Sequence, residues 1–285
     1  MNHLLCFGFG YSAQAFVAGL HRPSWKISAT SRDTEGIAAI NAQGFHGLLF
    51  DSKLHIAPDV THLLISVPPD EIGDPVLRLF QEQLQRLSKQ LKWVGYLSTT
   101  GVYGDRGGDW VDEDSPLEPN TARGHRRLEA ERSWLKLHSD CGLPVHLFRL
   151  AGIYGPGRNQ LLTVLNGSAK RIIKPGQIFS RIHVEDIAGV LAASMAKPNP
   201  GRAYNVCDDE PCPPQEVVEF AANLLGLPVP PDIPFEQAEL SPMARSFYAD
   251  SKQVSDSRIK NELGYKLLYP NYRDGLRALS SQLTR

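Results

Sequence analysis

The chain has 285 residues, 42% of them hydrophobic and 21% charged, which suits one large globular domain or a domain with a smaller lobe. Its 30 basic and 31 acidic residues leave a net charge of -1, which argues against a protein built for nucleic acid or for an anionic membrane surface. No apolar run approaches the ~20 residues of a membrane span, and no basic leader precedes the first apolar stretch, so a cytoplasmic protein is expected.

Leu4-Leu5-Cys6-Phe7 is a short apolar run closed by Gly8, and a helix is expected from Ser12 to Leu20. Lys26–Thr30 reads as a second strand, 48–50 as a third and 62–66 as a fourth. Leu77, Phe80, Leu84, Leu87 and Leu91 then form one apolar stripe at helical spacing, with Asp74 placed to cap it and Pro75 suited to its first turn. Val94–Ser98 and Val145–Leu150 are further strands, separated by a polar helix over 123–137. Helices are expected at 184–195 and 214–225, and the four prolines of 227–234 mark a connector. Strands alternating with helices predict an α/β fold, a doubly wound Rossmann-type parallel sheet with a smaller C-terminal lobe. The expected division is 1–157, with 183–206 returning to it, against 158–182 and 207–285. The four cysteines complete no zinc pattern, so they read as free thiols and no metal site is expected.

The chemistry begins in the first turn. Gly8-Phe9-Gly10-Tyr11-Ser12-Ala13 fits G-x-G-x-x-A between a strand and a helix. The first glycine makes the tight turn, the second lets a pyrophosphate approach the backbone, and the small Ala13 lets helix and sheet pack closely. The helix N-terminus then offers N–H groups and a positive dipole end to the anion. At the end of the second strand, where NAD sites carry an acidic residue, stand Thr30-Ser31-Arg32-Asp33. Ser31 and Arg32 suit a 2′-phosphate and favour NADP over NAD, with Asp33 read as a turn or helix-cap residue. Asp51 and Ser66, at the ends of the third and fourth strands, complete the candidate cofactor set with Tyr11 and Ser12.

Later motifs fall in a telling order: Ser98-Thr99-Thr100-Gly101-Val102-Tyr103-Gly104, Asp112-Glu113-Asp114-Ser115-Pro116, and Arg149 followed by Tyr154-Gly155-Pro156-Gly157. Arg181-Ile182-His183-Val184-Glu185-Asp186 and Tyr204-Asn205-Val206 come after them. Together with the glycine loop they cover essentially the whole chain, which resembles the extended short-chain dehydrogenases, the branch of nucleotide-sugar epimerases and dehydratases. The resemblance implies a nicotinamide cofactor, a small-molecule substrate and, by analogy with dimeric members, a homodimer.

It breaks at the catalytic helix. The family writes Y-G-x-S-K with a glutamate four residues further on; this chain reads Arg123-Gly124-His125-Arg126-Arg127 through to Glu131. Gly124 and Glu131 set the register, so Arg123 stands at the family's tyrosine and Arg127 at its lysine, as in atypical members of the superfamily. An arginine does not give up its proton in a protein. At i and i+4 the two share a helix face, which is either an anion site or a solvated basic face. His125, about 200° round the helix from Arg123, reads as a surface residue. Thr99 matches the family's catalytic hydroxyl and can orient a carbonyl. Tyr103 and Tyr154 are candidates for proton transfer or for packing, and His183 for lobe geometry. Arg245 with Tyr248 suits either a phosphate and a ring or packing of the lobe.

The expected function is therefore that of an NADP-binding oxidoreductase or epimerase-like enzyme. Its substrate would be phosphorylated or nucleotide-linked, and anionic. Thr99, Arg123 and Arg127 would form its altered catalytic set. The alternative is a non-catalytic NADP-binding redox sensor or scaffold.

Overall fold

A computed structural model describes residues 1–283. Its elements run β1 (Asn2–Phe7), α1 (Tyr11–Ala18), β2 (Trp25–Ser31), α2 (Thr34–Ala42), β3 (His46–Leu49), β4 (His62–Ile65), α3 (Pro75–Leu87) and β5 (Trp93–Thr99). There follow β6 (Trp110–Val111), α4 (Ala122–Cys141), β7 (Val145–Leu150), β8 (Gly152–Tyr154), α5 (Gln160–Leu165), β9 (Arg171–Ile173), β10 (Arg181–His183) and α6 (Val184–Ala196). The remainder is β11 (Ala203–Val206), α7 (Pro214–Leu225), β12 (Asp232–Pro234), α8 (Pro242–Phe247), β13 (Gln253–Val254), α9 (Ser257–Asn261) and α10 (Tyr272–Leu283).

The chain divides into two compact units. The first holds Met1–Thr99, His125–Arg149 and Ile187–Tyr204; the second holds Thr100–Gly124, Leu150–Asp186 and the rest from Asn205. The first is built on a seven-stranded sheet ordered β11-β7-β5-β4-β1-β2-β3. β1 runs parallel to both β2 and β4, β2 to β3, and β4 to β5. The chain leaves β1 toward β3 and returns on the other side at β4. The strand order therefore reverses beside β1, at the place where open sheets of this kind bind ligands past the strand C-termini.

Alternation along the strands dresses the two faces differently. Leu5, Phe7, Leu63, Ile65, Val94, Tyr96, Val145 and Leu147 are buried against Val76, Phe80 and Leu84 of α3 and Ala130, Trp134 and Leu137 of α4. On the other face Trp93 meets Phe16 of α1, His146 and Phe148, and its indole N–H donates to Ser194 of α6. Helices thus cover both faces, and the doubly wound expectation is met. The apolar stripe predicted through Leu91 outruns its helix: α3 stops at Leu87, though Leu91 is still buried.

The second unit carries three two-stranded parallel pairs, β6 with β13, β8 with β10, and β9 with β12. The first of these ties residues 100–124 to this unit. Leu161, Val164, Val217, Ala221, Leu276 and Leu279 pack α5, α7 and α10 into a core around Tyr154 and Tyr272. The proline-rich 227–234 segment contains β12, because a lone edge strand needs few ladder N–H groups. Among the described residues no helix is long and apolar enough to cross a membrane.

Candidate functional site

The glycine loop sits at the strand-order reversal and is braced from two neighbouring strands. Gly8 turns at φ +81°, a conformation that suits glycine. Its N–H donates to the Thr30 hydroxyl of β2 at 2.9 Å. The Ser66 hydroxyl, just past β4, reaches the carbonyls of Phe7 and Gly8 at 3.2 and 3.0 Å. A Cβ on Gly8 would meet Ser66 Oγ at 2.9 Å, so the turn is closed by sterics as well as by φ.

Gly10 differs. Its φ of -82° suits any residue, and a Cβ built on it meets nothing within 4 Å. Neither backbone nor packing asks for glycine there; open space at the N-terminus of α1 does. Gly10 is the N-cap of α1, and no side chain caps the helix. Tyr11 is half-buried, Ser12 and Ala13 are buried, and Ala13 is fully enclosed at the helix–sheet contact, as the loop pattern implies.

At the end of β2, Asp33 accepts the Gly36 N–H at 2.7 Å and caps α2, so its carboxylate is spent on the helix. Ser31 Oγ lies 3.5 Å from the same carboxylate oxygen. Arg32 is exposed, with no charged partner among the described residues. Asp51 lies past β3, where its carboxylate accepts the Lys53 N–H at 2.9 Å and shapes a turn.

Arg127 reaches from α4 to β5. Its Nη1 donates to the Tyr96 hydroxyl at 3.1 Å and to the Leu97 carbonyl at 2.8 Å, while its buried Nε has no protein partner. Burial pushes the Tyr96 phenol pKa up, the cation of Arg127 pulling against it. Nearby, Arg149 holds Glu131 through its Nε and Nη2, the latter at 2.9 Å, and Ser98 donates to the same carboxylate. Both charged groups are almost completely buried. Asp74 caps α3 through the N–H groups of Val76 and Leu77 and accepts the Trp134 indole N–H at 3.1 Å. Burial raises its carboxyl pKa against those hydrogen bonds.

Sequence reasoning missed Thr30 as the loop's acceptor and the Glu131–Arg149 pair as a pair. Glu131 and Arg149 were legible as motif members, but their partnership joins different elements and leaves no local signal. Thr99 is half-buried at the end of β5.

In the second unit, Arg123 is exposed and lies over the Phe247 ring, 4.5 Å from its centroid. Gly124 marks a close approach at the start of α4: a Cβ there would meet the Gly101 carbonyl at 2.8 Å. His125, assigned by the sequence to the surface, is exposed. Tyr103 is fully buried and donates to Asn205 at 2.7 Å. Tyr154 is buried against His183, and burial raises its pKa well above that of a free phenol. Both tyrosines pack. Arg245 lies over Phe235 and donates to the Ala238 carbonyl, and Tyr248 packs between Phe179 and Phe235. All four cysteines are free thiols, and no cluster among the described residues could hold a metal ion.

A family model described as the NAD dependent epimerase/dehydratase family matches residues 76–207. A functionally unknown conserved protein from Silicibacter pomeroyi is 53% identical, each chain covering 100% of the other, with a TM-score of 0.94. The dTDP-glucose 4,6-dehydratase of Bacillus anthracis, solved with NAD, is 20% identical over 100% of this chain and 96% of its own, with a TM-score of 0.75. The human epimerase family protein SDR39U1 (isoform 2), solved with NADPH, is 18% identical over 99% of each chain, with a TM-score of 0.76. Residues 76–207 are thus similar to the NAD dependent epimerase/dehydratase family, and the whole chain shares the fold of these solved structures.

Proposed function

We propose that the first unit binds NADP, and that the protein is an oxidoreductase or epimerase-type enzyme with an altered proton-transfer site. Its substrate in this reading is an anionic, phosphorylated or nucleotide-linked small molecule. Gly10 carries the cofactor part: a glycine required by neither φ nor packing, beside an uncapped helix start, is what a pyrophosphate pressed against the backbone demands. Arg32 and Ser31 take the 2′-phosphate, since Asp33 is occupied as a helix cap. Ser66 and Thr30 hold the loop in shape. Asp51 stands at the end of β3, and Arg127 has donors beyond its Nη1 to offer the ribose.

A bound nicotinamide gives or takes a hydride. The groups of this chain that remain for the substrate oxygen are few. Tyr103 and Tyr154 are committed to packing, and Arg123 cannot exchange its proton. The Thr99 hydroxyl therefore polarises the oxygen, and arginine charge stabilises what develops on it.

A thermal-shift titration tests the cofactor part. NADP should raise the melting temperature, by about 2.7 kcal/mol of added stability at a hundredfold excess over Kd. Gly10→Val should fold normally, having no neighbour to clash with, yet lose the shift. A wild-type protein that responds to neither NADP nor NAD would refute the reading.

A second reading, NADP binding without catalysis, is favoured by Arg127, whose Nη1 is spent on Tyr96 and Leu97. NADPH oxidation measured against carbonyl compounds and nucleotide sugars separates the two. Turnover supports the enzyme; its absence in a protein that demonstrably binds NADP supports the sensor. Arg123→Tyr then asks whether the missing phenol is the reason, and activity gained in a silent protein would say that it is.

A further inference from the structure

Helix α2 lies against the edge of the first unit's sheet with little apolar surface to hold it, since Ile40 is its one buried residue. Two glycines let it approach. Gly36, in the first turn of α2, faces the end of β2: a Cβ there would overlap Ser31 Oγ and stand 2.8 Å from Ser31 Cβ and 3.1 Å from an Asp33 carboxylate oxygen. Gly47, on β3, faces the body of α2: a Cβ there would stand 2.8 Å from the Ile37 carbonyl oxygen and 3.1 Å from Asn41 Oδ1. Neither glycine has a positive φ, so close approach asks for glycine at both positions and backbone conformation does not.

Glycine is a poor helix residue, so its presence in the first turn of α2 runs against local propensity. Rotating the Ser31 hydroxyl would not admit a side chain at position 36, because the Ser31 Cβ itself stands in the way. Ser31 Oγ meets the Asp33 N–H and carboxylate at 3.5 Å, the limit of a hydrogen bond. Its place is therefore set by what packs on it, and Gly36 packs on it. Gly36 also donates its N–H to Asp33 at 2.7 Å, the bond that keeps that carboxylate on the helix. One residue thus makes room for the hydroxyl and holds back the negative charge beside it.

We infer that Gly36 is a positioning residue that sets the choice between NADP and NAD. This deepens the function proposed above and rests on its assignment of Ser31 and Arg32 to the 2′-phosphate. A methyl group at position 36 displaces the Ser31 hydroxyl and presses on the Asp33 cap. Both changes oppose a 2′-phosphate: a donor moves, and a carboxylate loosened from the helix repels a second anion. NAD carries a hydroxyl in place of that phosphate, and a carboxylate accepts its hydrogen bond, so NAD loses nothing.

The test is paired calorimetric titration of the full-length protein with NADP and with NAD, in wild type, Gly36→Ala and Gly47→Ala, with circular dichroism on each. Gly36→Ala should fold, because α2 gives the core one residue. It should weaken NADP about tenfold while NAD stays within about twofold. Gly47→Ala disturbs the same helix away from Ser31, so its NADP-to-NAD affinity ratio should stay within about twofold of wild type. An unchanged ratio in Gly36→Ala, an equal shift in Gly47→Ala, or loss of the fold in Gly36→Ala would overturn the inference. A wild-type protein with no preference for NADP refutes the NADP reading and this inference with it. An NADP-preferring wild type with a neutral Gly36→Ala refutes this inference alone.

Discussion

Two glycines two residues apart answer to different forces. Gly8 is demanded by its own backbone and by Ser66; Gly10 is demanded by nothing inside the protein. The same distinction operates at the end of β2, where Asp33 is held by the Gly36 N–H and Arg32 is held by no charged group. Arg32→Ser should therefore weaken NADP at least tenfold, by removing charge-assisted bonds to the 2′-phosphate, while leaving NAD within about twofold. Paired calorimetric titrations check this, and equal losses for both nucleotides would refute it. Arg123 and Arg127 were a single feature in the sequence, two cations on one helix face. Their neighbours differ: Phe247 for one, Tyr96 and the Leu97 carbonyl for the other. No spacing rule could have announced that, because it depends on which side chains other elements bring to each guanidinium.

Helices α3 and α4 show how elements are joined by polar groups inside an apolar layer. Asp74 starts α3 and also receives the Trp134 indole of α4. Asp74→Ala removes a cap and strands a buried N–H, and should cost about 2–3 kcal/mol in urea unfolding. Asp74→Asn keeps acceptor oxygen without a buried charge and should cost clearly less. Glu131 and Arg149 tie α4 to β7 in the same way, almost without solvent access. Either Glu131→Gln or Arg149→Met alone strands a buried partner and should cost about 3–5 kcal/mol, whereas the double variant should recover much of that loss. Additive losses would mean that the pair is not coupled. The caps of α2 and α3 were legible, since a capping aspartate precedes its helix by one residue. α2 itself was not: it buries only Ile40, so its apolar periodicity is too weak to see.

Across the whole molecule, acid should weaken the fold through its buried histidines. Burial lowers His62 and His146 from 6.5 to about 4. A depressed histidine pKa means that the unfolded chain binds the proton first. The stability each contributes is present above pH 6.5 and is lost as pH falls toward 4, up to about 3 kcal/mol for a fully buried ring such as His146. Asp256 opposes this over part of the same window, its carboxyl pushed up by burial to about 6. A raised carboxyl contributes stability below its unfolded pKa and loses it as pH rises through 6. His146→Asn keeps an acceptor for the Asn199 N–H and should flatten the acid limb of a melting-temperature profile between pH 6.5 and 4. An unchanged slope would exclude His146 as a source of the acid loss. The sequence by itself determined the alternation of strands and helices, the glycine loop and the spacing that puts Arg123 and Arg127 one turn apart on α4. All of these are local patterns, set by the pleat, the helical repeat and steric limits on φ. Tertiary structure alone decided that Gly10 opens onto space, and that Tyr103 and Tyr154 are sealed into packing. Those facts depend on which distant residues share a neighbourhood, and burial and charge balance are properties of a neighbourhood rather than of a segment.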